Sequence, residues 1–274
     1  MYGFMHLAGC AGYTSLFDWS VNDSAAFWEA LCEFCKVRFE READTIIARP
    51  DNIMNAGWFS GSRLNYAEHL LRHEGQQPAL IFYGEDGARR EVTRDALREQ
   101  VAAAAAGLRA AGVEHGDRVA GILPNCPEAV VAMLAATSIG AIWSSCSPDF
   151  GVNGIVDRFG QIGPKVLFTV NGYYYNGKTC DIRATVESVV DAIDGIQCTV
   201  VVPFADDLAT ATTASNAVAW ESFAVHGAEL TFLPVDFDHP LYIMYSSGTT
   251  GVPKCIVHGH GGTLLQHLKE HVLH

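Results

Sequence analysis

Residues 117–148 read DRVAGILPNCPEAVVAMLAATSIGAIWSSCSP, and this stretch decides the fold. DRVAGILP holds a continuous apolar run, the mark of a strand buried on both faces. Asn125 is placed to cap the next element and Pro127 falls in its first turn, so NCPEAVVAMLAATS predicts a helix. AIWSSCSP then predicts a second strand that runs into a loop. Strand, helix and strand in this order form a right-handed βαβ unit, which requires a parallel sheet.

The same rhythm extends on both sides. Upstream, ALIFY from Ala79 predicts a strand, GEDGARR a turn and EVT its return. RDALREQVAAAAAGLRAAG follows as a helix ended by Gly112. Downstream, VNGIVDRFGQI predicts a helix, PKVLFTV a strand, DIRATVESVVDAI a helix and CTVVVP a strand. The fold class is therefore α/β, a mostly parallel sheet flanked by helices. Residues 1–75 read as a helical N-terminal extension. There Ser24 would cap AAFWEALCEFCKVRF, and SRLNYAEHLLRH places Leu64, Ala67, Leu70 and Leu71 at helical spacing. Residues 204–240, with DDLATATTASNA, read as surface loop. PLYIMYSS is the last predicted strand, and GGTLLQHLKEHVLH begins a helix.

Composition narrows the function classes. The 274 residues are 49% hydrophobic and 18% charged, ordinary for a globular chain and unlike a disordered one. A net charge of −13 opposes nucleic acid or an anionic membrane as the main partner. It also means that any bound polyphosphate has to be met by local positive groups. The apolar run Ala129–Trp143 is too short to span a bilayer. LAGC at Leu7–Cys10 imitates a lipoprotein box, but it lacks the basic and apolar stretches of a leader. Eight scattered cysteines without framework spacing predict reduced thiols and a cytoplasmic location. Cys32 and Cys35 form a CxxC with no second pair at ligand spacing, so a structural role is expected for them.

One loop carries chemistry. Ser246, Ser247, Gly248, Thr249, Thr250 and Gly251 form an unbroken run of hydroxyl and glycine residues after a buried strand, with Lys254 close behind. Such glycines let backbone N–H groups turn inward as an anion nest, and the hydroxyls and the lysine add donors and charge. The spacing is not that of the common nucleotide P-loop, where Lys directly follows the second glycine. A glycine-rich turn with a solvated lysine is the bland alternative.

YSSGTTGVPK resembles the signature phosphate loop of the adenylate-forming superfamily of acyl-CoA synthetases, adenylation domains and luciferases. VTRDALREQV and MLAATSIGAIWSSCSP are similar to two earlier core motifs of that superfamily, in the right order. WFSGSRLNYAEHLL, SSCSPDFGVNGIVDRFGQIGPKVLF, YYYNGK and IVHGHGGTLLQHLKEHVLH narrow the resemblance to the acetoacetyl-CoA synthetase family. The acetyl- and propionyl-CoA synthetases are the nearby alternative.

The resemblance implies a two-step acid–thiol ligase. A carboxylate, here acetoacetate, attacks the α-phosphate of Mg2+·ATP to give an acyl-adenylate and pyrophosphate. Coenzyme A then displaces AMP. The implied ATP phosphate contacts are Ser246, Ser247, Gly248, Thr249, Thr250, Gly251 and Lys254, and Lys178 in YYYNGK is the implied contact to coenzyme A. No catalytic residue and no metal ligand matches. The adenine, ribose, acyl-pocket and hinge motifs and the lysine-bearing small domain have no counterpart, so the expectation is an N-terminal piece. On that expectation 76–274 is an incomplete AMP-binding large domain, inactive alone and prone to self-association.

Two other readings compete. A nucleotide-binding module without chemistry would share the same loop. HLKEH at His267–His271 matches the H-x-x-E-H pattern of inverted zinc peptidases, in which Glu270 would act as base.

Overall fold

Two unlike frameworks share this chain, and the computed structural model describes them over residues 1–49, 51–52, 54–209, 214–246 and 251–273. One compact unit comprises Met1–His69, Pro234–Leu241 and His258–His274. The other comprises Leu70–Leu233 and Tyr242–Val257. Among the described residues no helix is long and apolar enough to cross a membrane.

The first unit begins with helices α1 (Tyr2–Leu7), α2 (Tyr13–Asn22) and α3 (Ser24–Phe34). The cap of α3 is Asp23, whose side chain accepts from the Ala26 amide at 3.2 Å. Ser24, the expected cap, is already inside the helix, and its hydroxyl donates back to the Ser20 carbonyl. A carboxylate at the positive helix end satisfies the same orphan amides with the added help of charge. Phe4, Leu16, Phe27, Leu31 and Cys35 make the apolar centre of this unit together with Leu273.

Three short strands follow that the helical reading of 1–75 did not include: β1 (Thr45–Ala48), β2 (Gly57–Ser60) and β3 (Arg63–Leu64). β1 and β2 pair antiparallel. SRLNYAEHLLRH is helical only in α4 (Tyr66–Leu70). Asn65 explains the boundary, because its Oδ1 accepts from the amides of Ala67 and Glu68 and so starts the helix there.

The second unit opens with the hairpin β4 (Pro78–Tyr83) and β5 (Arg89–Thr93), as predicted. Thr93 caps α5 (Arg94–Ala110) by accepting from the Ala96 amide. The alanine-rich face of α5 is buried, and close approach is its purpose. A Cβ on Gly107 would stand 2.4 Å from the Phe223 carbonyl oxygen.

The segment 117–148 becomes β6 (Arg118–Ile122), α6 (Pro127–Ser138) and β7 (Ile142–Cys146), and β6 and β7 are parallel neighbours. The cap of α6 is Cys126 rather than Asn125, and it makes no side-chain cap bond. Pro127 at the first helical position needs no amide partner, which lowers the demand for a cap. Gly121 on β6 leaves room for the Trp143 ring, which an added Cβ would meet at 2.8 Å.

Next come α7 (Val152–Ile162), β8 (Val166–Val170), the hairpin β9 (Gly172–Tyr175) and β10 (Lys178–Asp181), α8 (Arg183–Ala192) and β11 (Cys198–Val202). Part of the expected 204–240 loop is ordered as β12 (Ala217–Ala219) and α9 (Trp220–Phe223), while β13 (Val235–Asp236) belongs, with its partner β3, to the first unit. β14 (Pro240–Ser246), β15 (Lys254–Gly259) and α10 (His260–Leu268) complete the described chain, with a π-helical turn at Lys269–Leu273.

Seven strands share one sheet in the order β12-β11-β8-β6-β7-β14-β15. From β12 through β14 all neighbours are parallel. Every residue of β8 is buried, as a strand covered on both faces requires. β15 is a strand the sequence reading did not include. Its apolar residues are few and partly exposed, so it lacks the buried run that marked the others.

Candidate active site

Parallel strands end on the same side of a sheet, and open α/β sheets bind ligands outside those carboxyl ends. β7 ends at Cys146, and β14, parallel to it, ends at Ser246. The two strand ends line a cleft of about 440 Å³ whose walls include Trp143, Ser147, Phe150, Arg158, Met244 and Tyr245.

The sequence-predicted loop begins at this edge, where Ser246 ends β14. Ser246 is half-buried at the end of β14. Gly251 has φ +89°, a backbone state that side chains avoid. Lys254 is exposed at the start of β15. Ser247, Gly248, Thr249 and Thr250 lie outside the described residues. The sequence makes PLYIMYSS the last strand before the helix of GGTLLQHLKEHVLH, but β15 stands between β14 and α10. Lys178 begins β10, exposed, after an Asn176–Gly177 turn with positive φ at both residues, the usual Asn–Gly hairpin geometry.

Residues that the sequence did not single out complete the cleft. The Arg158 guanidinium lies over the Phe150 ring at 4.5 Å and over the Tyr245 ring at 5.8 Å, and its Nη1 donates to the Gly154 carbonyl. This brings a positive charge to the cleft wall on an acidic protein. The Ser144 hydroxyl donates to the Ile243 carbonyl at 2.9 Å and lies 3.1 Å from the Tyr245 hydroxyl. Burial pushes the Tyr245 phenol up to about 12, so it stays protonated. Burial likewise pushes the Cys146 thiol up to about 12, which removes it as a nucleophile at neutral pH. Helical spacing alone does not reveal Arg158, since only the tertiary fold turns α7 toward β14.

Cys32 is held up to about 12, first by burial and then by Cys35, Glu42 and Glu29. At that value the Cys32 thiol stays protonated and a weak nucleophile at neutral pH.

The side chains of the H-x-x-E-H stretch are engaged within the protein. His267 Nδ1 stands 3.0 Å from the Tyr66 hydroxyl. Glu270 accepts from Gln266 Nε2 and pairs with Lys269. Among the described residues no group of three His, Cys, Asp or Glu side chains is arranged to hold a metal ion.

Burial, then His271 and His258, lower the His267 imidazole below its ordinary 6.5. The unfolded chain thus takes up this proton first as pH falls. Its contribution to stability is complete above 6.5 and declines as pH drops through that value toward the lowered one. Urea midpoints at pH 7.5 and pH 5 should therefore differ more for the parent chain than for His267→Asn.

The profile of the family described as AMP-binding enzyme matches residues 67–272. The chain belongs to the AMP-binding enzyme family. A second profile, acetyl-coenzyme A synthetase N-terminus, matches residues 13–70 of this AMP-binding enzyme. Acetoacetyl-coenzyme A synthetase of Rhizobium meliloti is 49% identical over 96% of the chain and 41% of the relative. Malonamoyl-CoA synthetase of Penicillium aethiopicum is 40% identical over 95% of the chain and 38% of the relative. The solved acetoacetyl-CoA synthetase from Streptomyces lividans superposes with a TM-score of 0.88 at 44% identity, covering 95% of this chain and 40% of that one. The chain thus spans about two fifths of the length of these relatives.

Proposed function

We propose that this chain is the N-terminal part of an ATP-dependent acid–CoA ligase that activates acetoacetate as an acyl-adenylate and passes it to coenzyme A. The observation that carries the reading is the 49% identity to an acetoacetyl-coenzyme A synthetase across 96% of the chain. The placement of Ser246 at the carboxyl end of β14, with Lys254 opening the neighbouring strand β15, supports it.

In this reading Ser246–Gly251 and Lys254 hold the outer phosphates of Mg2+·ATP and neutralise the departing pyrophosphate. Their contribution is positioning and electrostatics. Lys178 meets the nucleotide end of coenzyme A. Residues 76–274 form the AMP-binding part, and no disulfide joins any of the eight cysteines, in keeping with a cytoplasmic enzyme. The malonamoyl-CoA synthetase relative supports a second substrate of the same shape, an acid with a carbonyl group at the β-carbon.

The chain alone should show no acetoacetate-dependent exchange of pyrophosphate into ATP. It should bind ATP only in the millimolar range, about 4 kcal/mol, because each ~1.4 kcal/mol of absent base and ribose contact costs tenfold. Joining it to the remaining segment of the Streptomyces lividans enzyme should restore exchange. A chimera that folds and exchanges with acetate but not acetoacetate would overturn the substrate, and one inactive with every acid would overturn the ligase reading. Exchange by the chain alone at the rate of a complete synthetase would overturn its description as a part.

A further inference from the structure

Gln161 sits one residue from the end of α7, and its side chain is engaged on three sides. Nε2 donates to the Asp157 carbonyl one turn back and, at 2.9 Å, to the Pro253 carbonyl. Oε1 accepts from the Cys255 thiol at 3.6 Å. Pro253 and Cys255 are the two neighbours of Lys254. A single helix side chain therefore holds the residue before the lysine and the residue after it. Pro253 adds its own fixed φ on the first side. The backbone that carries the lysine is thereby tied to α7, the helix whose Arg158 packs on Tyr245 at the end of β14.

We propose that Gln161 is the positioning residue for Lys254: it sets where the ammonium group meets the phosphates of the nucleotide without touching them. The proposal rests on the reading of Ser246–Lys254 as a phosphate site. It goes beyond that reading by assigning the precision of the site to a residue on another element. A lysine ammonium is a mobile point charge on a four-carbon stem, so its usefulness depends on how firmly its backbone is held.

The test uses the whole chain and sodium tripolyphosphate as the probe, with affinity read by calorimetry. Cys255, the exposed cysteine of the eight, provides a second signal through its rate of labelling by a thiol reagent. Tripolyphosphate should slow that labelling in the parent chain. Gln161→Ala should bind tripolyphosphate about fivefold more weakly, as the loss of ordinary hydrogen bonds implies. It should also label faster at Cys255, at an unchanged melting temperature. Gln161→Met keeps the length, removes the three hydrogen bonds and serves if the alanine variant frays α7. Asn153→Ala, exposed on the same helix, should change neither signal.

If both Gln161 variants keep parental affinity and labelling while Lys254→Ala loses binding, the positioning role falls and the phosphate site stands. If the parent does not bind tripolyphosphate, or Lys254→Ala binds equally well, the phosphate site falls and the positioning role with it.

Discussion

Phe168→Ala is expected to lower unfolding stability by about 3–5 kcal/mol, the range for removing a large buried aromatic ring. Phe168 is fully buried on β8, the third strand in from one edge of the sheet. Its ring meets Trp143 at 6.3 Å, Trp220 at 5.8 Å and Phe223 at 5.5 Å, the last edge-on at 89°. Truncation leaves a cavity that three rings border, and the neighbouring strands, hydrogen-bonded on both sides, resist collapse into it. Phe168→Leu, closer in volume, should cost less than half as much. Denaturant titration of both variants checks the order, and a loss under about 1 kcal/mol for the alanine variant would mean that the site refills.

Lys254→Ala is expected to weaken binding of ATP or tripolyphosphate by about 10–100-fold, the worth of a charge-assisted contact of 1.5–3 kcal/mol. The side chain is exposed and makes no hydrogen bond or ion pair among the described residues, so its removal should leave the melting temperature in place. Lys254→Arg keeps the charge and should recover part of the affinity. The same substitution in the chimera should remove acetoacetate-dependent exchange. Parental affinity in Lys254→Ala would return the loop to a glycine-rich turn with a solvated lysine.

Most of the sheet was legible because its strands are unbroken apolar runs between helices of clear period. β6, β7, β8 and β11 all fall where the pattern placed them. β15 was not legible, since KCIVHG is short, lies at the sheet edge and shows no buried run. β3 was hidden for another reason: Leu64 fits a helical face as well as it fits the pairing with Val235 that only the fold supplies. The chemistry divides the same way. The glycine and hydroxyl run before Lys254 is a local signal that spacing can reveal. Arg158 and Gln161 gain meaning only when α7 lies against β14 and the start of β15, a juxtaposition of residues ninety apart.

Leu273 packs with Phe4, Phe27 and Leu31, and the unit that contains them takes in 1–69 only together with Pro234–Leu241 and the stretch from His258 onward. During synthesis the first helices therefore leave the ribosome long before their partners. At about 5–20 residues per second the intervening sheet takes roughly 10–30 s to make. Through that interval the cluster of Phe4, Phe27 and Leu31 lacks the cover that Leu268 and Leu273 supply.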